Sequence, residues 1–343
     1  MNLALDHWHL EPSGICTLKC PRCPRAELPY YSINKNLSLE FFQKQLGYDV
    51  ISKIKKITFC GNNGDPIYCK DLLDILQWIK SINPSIEFVI ITNGSHKPVE
   101  WWEELSGIMT ENDEIHWSID GWDQQSNEQY RVNSDWVSIM DGIIEFKEHN
   151  KSTYTVWATI AFAFNENHIT DIFQLAKQFE FDLFQLTLST KFGSKYPDSY
   201  GEYDVLEPLD KSLIPEGHRF DRRLSVISGK KRPGDDLKKK FSDRASLLYN
   251  SNEYPALCYI GNKGVFLNSL GEFYPCCWVA NNYDHNKSWS SLGKEDFNLH
   301  KNTFTDIMSN NFWDNEFKLF NGIECASKCT KPKLLDKHHT TEW

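Results

Sequence analysis

The sequence predicts an α/β fold, a partial (β/α)6 TIM-like barrel followed by a small cysteine-rich C-terminal domain. Two observations carry that prediction. Short apolar, β-branched runs alternate with amphipathic stretches of helical length through the first half, the pattern of βα units and a parallel sheet. Cysteines cluster at 16–23, at 60 and 69, and from 258 onward, with none between Cys69 and Cys258.

Strands are expected at His9–Ile15, Lys56–Gly61, Phe88–Thr92, Ile115–Ile119, Tyr154–Phe162 and Phe184–Leu188, each rich in Ile, Val, Thr or aromatic residues. Helices are expected at Leu39–Ile51, Asp71–Ile82, Val99–Met109, Trp136–His149 and Ile169–Phe179, where apolar residues recur at helical spacing. Ser38 with Glu40, and Thr170 with Asp171, read as helix starts. A doubly wound open sheet is the alternative, and strand counting does not separate the two. The rhythm breaks near 190. The stretch to 250 holds Pro and Gly punctuation and a basic concentration: Arg219, Arg222, Arg223, Lys230, Lys231, Arg232 and Lys238–Lys240. It reads as a solvated connector, with an electropositive lip for an acidic substrate as the functional alternative. The expected division is therefore a barrel over 1–190, a basic connector over 191–250 and a cysteine-rich domain over 251–343.

Composition narrows the function classes. A length of 343 residues with 14% aromatics, 12 Trp among them, supplies a large core. The formal net charge of −10 argues against a sequence-independent grip on nucleic acid. The N-terminal segment is too polar for a signal peptide and no run of 18 apolar residues occurs, so the chain reads as a soluble cytoplasmic protein with no membrane partner. Ten cysteines in such a compartment point to metal or redox chemistry rather than disulfides.

The chemistry-bearing groups fall at strand ends, where loops of βα barrels collect function. The first strand runs into EPSGICTLKCPRCPR, which places Cys16, Cys20 and Cys23 at C-x3-C-x2-C. Three thiolates stop one short of a closed zinc site or a four-cysteine iron–sulfur site. They leave one metal position open to something that is not protein, or borrow a distant fourth ligand as a zinc knuckle would. The second strand ends in FCGNNGDP, a Gly-rich turn in which Gly64 brings the backbone close to a ligand and Asp65 offers a carboxylate to a cation. The third ends in ITNGS, with Asn93, and the fourth in SIDG, with Ser118 and Asp120 on one side by period-two geometry. Arg131 follows in QYR. Carboxylate, guanidinium and polar strand ends suit a zwitterionic amino acid that carries a ribose.

In this order the motifs resemble the radical S-adenosylmethionine (SAM) superfamily over roughly residues 8–190. The resemblance implies that Cys16, Cys20 and Cys23 hold a [4Fe-4S] cluster whose open iron binds SAM. It also implies that Gly64 and Asp65, similar to the family's GEP motif, contact the SAM amino group. Ser118 and Arg131 match positions for the SAM carboxylate, Asp120 a position near the ribose, and Asn93 belongs to the same set. Two departures stand out: an aspartate replaces the motif glutamate, and Arg22 stands where many relatives carry an aromatic near the adenine.

The later cysteines resemble the SPASM/twitch extension. A SPASM motif has seven cysteines and this segment has five, which fits the shorter twitch type, with Cys258, Cys276, Cys325 and Cys329 on one auxiliary [4Fe-4S] cluster. A structural zinc ribbon from the same four is the alternative, and Cys277 is an alternative ligand to Cys276. Cys60 and Cys277 remain as candidate hydrogen-atom donors, Cys69 as a spare thiol. His7, His9 and His116 read as packing or hydrogen-bonded groups, His338–His339 as a solvated tail, and Trp101–Trp102 as a helix anchor.

The reaction implied is reductive cleavage of SAM to a 5′-deoxyadenosyl radical that abstracts hydrogen from carbon. An electron donor such as flavodoxin or ferredoxin supplies the electron. Strand 1 begins by residue 8, leaving no room for a leader-binding domain, so a small molecule or short peptide is the expected substrate, undergoing dehydrogenation, epimerisation or bond formation. A ribosomal-peptide maturase that recognises its substrate by other means is the nearest alternative. A non-catalytic iron–sulfur electron carrier or binding protein is the alternative of another class.

Overall fold

The computed structural model describes residues 5–27, 34–193, 204–215, 221–234, 264–277, 280 and 295–315. The chain divides into two compact units. The first comprises Met1–Ile15, Ile33–Val89 and Gly234–Leu335, the second Cys16–Ser32, Ile90–Pro233 and Asp336–Trp343. The fold is α/β, with a mostly parallel, open sheet consistent with a partial TIM-like barrel.

In the first unit β1 (His7–Leu10) pairs in parallel with β2 (Lys56–Phe59) on one side and β8 (Val265–Leu267) on the other. β9 (Phe273–Tyr274) runs antiparallel to β8. The expected 39–51 helix is two helices, α2 (Leu39–Gln45) and α3 (Gly47–Ile51). Gly47, at φ +57°, turns the chain between them in a conformation that a side chain resists. Ser38 caps α2 by accepting the Phe41 N–H. Helix α4 (Leu72–Ile82) buries Leu72, Ile75, Leu76 and Ile79. Each contributes about 1.5–3 kcal/mol by leaving water.

β3 (Glu87–Thr92) bridges the sequence ranges of the two units. In the second unit β4 (Glu114–Ser118), β5 (Tyr154–Ile160) and β6 (Leu183–Leu188) pair in parallel, and β7 (Asp221–Val226) closes the edge antiparallel to β6. Helices α5 (Val99–Ile108), α7 (Trp136–His149) and α8 (Ile169–Gln178) cover one face, with the short α6 (Gln124–Glu128) between β4 and α7. Helix α8 is capped at His168 rather than at Thr170, and Asp171 pairs with His168 Nδ1 at 2.8 Å. Trp102 is fully buried, tilted against Trp117 of β4 at 5.7 Å, and Trp117 in turn meets Phe146 and Phe181. The close approach of α5 and α7 depends on Gly142, where a Cβ would stand 2.3 Å from Trp102 Nε1.

Toward the C-terminal half of this sheet Ser118, Ala158, Ile160 and Thr187 are half-buried among the described residues, and β4–β6 register sets Ser118 beside Ala158 and Ala158 beside Gln185. The short helices α9 (Phe304–Met308) and α10 (Phe312–Asn315) belong to the first unit. No helix among the described residues is long and apolar enough to cross a membrane.

Candidate functional site

β1 stops at Leu10, earlier than expected, and Ser13 then forms an isolated antiparallel bridge with Asn36. The cysteine loop follows in the second unit. Cys20 is buried, Cys16 and Cys23 half-buried, and the Cys23 N–H donates to the Cys20 carbonyl at 3.1 Å. All three pack against one apolar group formed by Leu18, Tyr130, Phe162 and Leu206. Residues 130–133 pin the loop: Lys19 N–H reaches the Val132 carbonyl at 2.9 Å, and Asn133 Nδ2 the Thr17 carbonyl at 3.0 Å. Asn93 Nδ2 lies 3.6 Å from Cys16 Sγ. Burial pushes the Cys20 thiol up to about 11, against the pull of the Arg131 guanidinium.

Asp120, past the end of β4, is fully buried. One oxygen accepts Arg131 Nε at 2.6 Å and the other the Ile160 N–H at 2.7 Å. Burial raises its carboxyl above the usual range even beside Arg131. Burial also works against the charge of Arg131, but Asp120 and Cys20 outweigh it and hold the guanidinium above its usual value. Two asparagines shape this turn. Asn127 Oδ1 accepts from Asp120 and Gly121 N–H, and Asn165 Nδ2 donates to the carbonyls of Asp120 and Ile160. Tyr130 lies on Phe162 at 4.3 Å, with the Arg131 guanidinium 5.4 Å from the Tyr130 ring.

In the first unit the GNNGDP turn folds onto the segment after β1. Gly64 sits so close to Ser13 that a Cβ would fall 1.9 Å from its carbonyl oxygen. The Asp65 N–H donates to Ile15 at 2.8 Å, and Asp65 Oδ1 accepts the Ile67 N–H at 3.2 Å, capping a short 3-10 turn, Pro66–Tyr68. Glu11 lies beneath the turn, taking N–H groups of Asn63 and Gly64. Cys60 follows β2, its N–H on the Leu10 carbonyl at 3.0 Å. Burial, then Cys277 and Glu11, push its thiol well up.

A family model for the radical SAM superfamily matches residues 10–176. The matched range, a little under half of the chain, is similar to a radical SAM domain. Among solved structures, Streptococcus suis SuiB bound to the precursor peptide SuiA matches at 14% identity over 95% of this chain and 70% of that one, TM-score 0.55. The structure of anSMEcpe with bound AdoMet and Cp18Cys peptide matches at 15% identity over 94% and 85%, TM-score 0.50. Against SuiB bound to S-adenosylmethionine, this chain spans 59% of that chain. These likenesses are of fold. No curated protein matches the chain.

A radical SAM domain implies a [4Fe-4S] cluster and SAM. The donor set fits such a cluster: three soft thiols share one apolar wall with a buried guanidinium beside them. Among the described residues no three His, Cys, Asp or Glu side chains gather closely enough to grip a single ion. In a [4Fe-4S] cluster Cys16, Cys20 and Cys23 would not have to share one iron.

Of the auxiliary set only Cys276 is described, buried after β9; Cys258, Cys325 and Cys329 lie outside the described residues. Arg22 is held in a buried ion pair. Its Nη2 bonds both Asp204 oxygens at 2.7 and 2.8 Å and its Nε the Lys191 carbonyl at 3.0 Å, with Asp204 also accepting Gly193 and Leu206 N–H. The described part of the basic stretch is largely committed to the fold. Lys230 pairs with Asp182 at 3.0 Å, Arg232 with Glu114 at 2.7 Å, and Arg223 donates to the Ser212 carbonyl. Glu114 also holds His116 Nε2 at 2.9 Å, and His7 Nε2 meets Thr58 Oγ1 at 3.1 Å. Glu11, Asn127, Asn165 and the Arg22–Asp204 pair escape sequence reasoning because each acts through a partner that only the fold brings near. The substitution at Arg22 was the one visible signal.

Proposed function

We propose that this protein is a radical SAM enzyme that cleaves SAM reductively and abstracts hydrogen from a carbon of a small molecule or short peptide. The observation that carries the reading is the cysteine loop packed on Leu18, Tyr130, Phe162 and Leu206 and tied through Cys20 to the Arg131–Asp120 pair, all but Leu206 inside residues 10–176. The cluster, when bound, would supply the one-electron reduction that cleaves SAM to methionine and a 5′-deoxyadenosyl radical. The chain's part is to bind and orient. Cys16, Cys20 and Cys23 would ligate the cluster. Gly64 and Asp65 would hold the SAM amino group, Arg131 and Ser118 its carboxylate, while Asp120 fixes Arg131, and Asn93 lies at the cluster loop. The half-buried side chains of Ser118, Ala158, Ile160 and Thr187 would offer the substrate a surface.

Cys258, Cys276, Cys325 and Cys329 would carry an auxiliary [4Fe-4S] cluster in a domain over 251–343, following a barrel over 1–190 and a connector over 191–250. An electron donor of flavodoxin or ferredoxin type and a cytoplasmic setting complete the reading, with Cys60 and Cys277 kept as candidate hydrogen donors. SuiB and anSMEcpe are each solved with a peptide, so a peptide is the substrate to test first.

Anaerobic reconstitution, iron and sulfide counting, and incubation with dithionite and SAM test this reading through 5′-deoxyadenosine. Expected are product and about eight irons, falling to about four when Cys276, Cys325 and Cys329 are replaced. Serine at Cys16, Cys20 or Cys23 abolishes product. A wild-type protein with intact clusters that yields no 5′-deoxyadenosine, beside an active control enzyme, overturns the enzyme reading and leaves an electron carrier.

A further inference from the structure

Glu11 is a fully buried carboxylate that the reading above does not use. It stands one residue past β1, and its nearest partners lie 52 and 53 residues later. Oε1 accepts the backbone N–H groups of Asn63 and, at 3.0 Å, Gly64; Asn63 Nδ2 lies 3.4 Å from Oε2, and the Asn62 N–H adds to the set. Successive N–H groups converging on one anion form a nest of the kind that elsewhere binds phosphate. Here the chain supplies the anion itself, so the GNNG turn is filled from within. Gly64, pressed on Ser13, and Asp65, fixed to Ile15, adjoin that filled nest.

We propose that Glu11 is a positioning residue for SAM, acting through the 62–64 backbone to set Gly64 and Asp65 for the cofactor's amino group. The proposal rests on the reading of that turn as the SAM-amine contact. Burial pushes the Glu11 carboxyl up to about 7, against the amides of Asn63, Gly64 and Asn62. The titratable groups facing it are the Cys60 thiol and, beside that, Cys277. Burial holds Cys60 well above its ordinary range, so Cys60 stays neutral while Glu11 changes charge. An ionised Glu11 accepts the three N–H groups more strongly than a neutral acid does. The turn is therefore better held, and the SAM ammonium sees more negative potential, as pH rises through neutrality.

The test is equilibrium dialysis of labelled SAM with the reconstituted holoenzyme between pH 6.0 and 7.5. 5′-Methylthioadenosine, which lacks the amino-acid arm, is the comparison ligand. In wild type, SAM affinity rises about fivefold across this range and methylthioadenosine affinity does not, a result that needs no variant. Glu11→Gln loses the rise and binds SAM about tenfold more weakly at pH 7.5, with the cluster absorbance unchanged. A flat wild-type SAM profile, or Glu11→Gln that binds as wild type, overturns the proposal. Asp65→Asn separates the causes. If it binds SAM normally, the assignment of the turn itself is wrong; if it binds weakly while Glu11→Gln does not, only the role of Glu11 is.

Discussion

Arg131 and Asp120 meet at 2.6 Å, and the second Asp120 oxygen is taken by the backbone of β5 at Ile160. The guanidinium thus hangs from a carboxylate with no exposed surface, and through Cys20 it reaches the cysteine loop. Removing one partner of such a pair strands the other charge. Asp120→Ala is expected to cost about 3–5 kcal/mol, seen as a lower urea midpoint of the apoprotein, and to reduce iron retained on reconstitution. Unchanged midpoint and iron content would show that the pair holds nothing.

The Arg22–Asp204 pair is equally buried, at 2% and 0% side-chain exposure, so the same logic predicts non-additivity. Arg22→Met alone is expected to cost about 3 kcal/mol or more. The double variant Arg22→Met/Asp204→Leu recovers part of that loss, short of wild type because the Gly193 and Leu206 N–H groups lose their acceptor. Additive losses in a double-mutant cycle of urea midpoints would refute the coupling.

Two glycines in neighbouring helices should respond with opposite signs. Gly142→Ala drives a methyl into the Trp102 indole and is expected to lower stability by about 1–3 kcal/mol. Gly107 in α5 has open space around its Cβ position, so Gly107→Ala is expected to raise stability by about 0.5–1 kcal/mol. Thermal melts of the two variants side by side decide it.

Glu11 predicts a pH slope. Its folded value of about 7 lies above the unfolded 4.5, so the folded state binds the extra proton and stability falls as pH rises. The loss begins near pH 4.5 and is complete past pH 7, where it amounts to about 3 kcal/mol. Urea midpoints at pH 5 and pH 8 should therefore drop more in wild type than in Glu11→Gln. Parallel drops in the two proteins would remove Glu11 as the source.

The βα units were legible because each is a local pattern. The helix Trp136–His149 is read to the residue, capped by Asp135, and five of the six strands fall within two residues of their expected ends. The readings that differ share a different cause. β7, written DRRLSV, hides its strand character under charges that an edge strand tolerates, and β8 and β9 are too short to register. In the site, the cysteine triplet is legible because its members lie within eight residues of chain. Asp120 and Arg131 were visible as candidates, but not that they hold each other. The basic stretch reads as a solvated connector, with a lip as the alternative, and its ion pairs stay hidden because Glu114 stands 118 residues from Arg232 and Asp182 stands 48 from Lys230.

Those two ion pairs, Lys230 with Asp182 and Arg232 with Glu114, sit where β6 and β4 begin; the cysteine loop, Asp120 and Arg131 attach where strands finish. The second unit thus separates its chassis from its tools. Loops at one end can be exchanged to retarget chemistry, while charge ties at the other keep the strands in register.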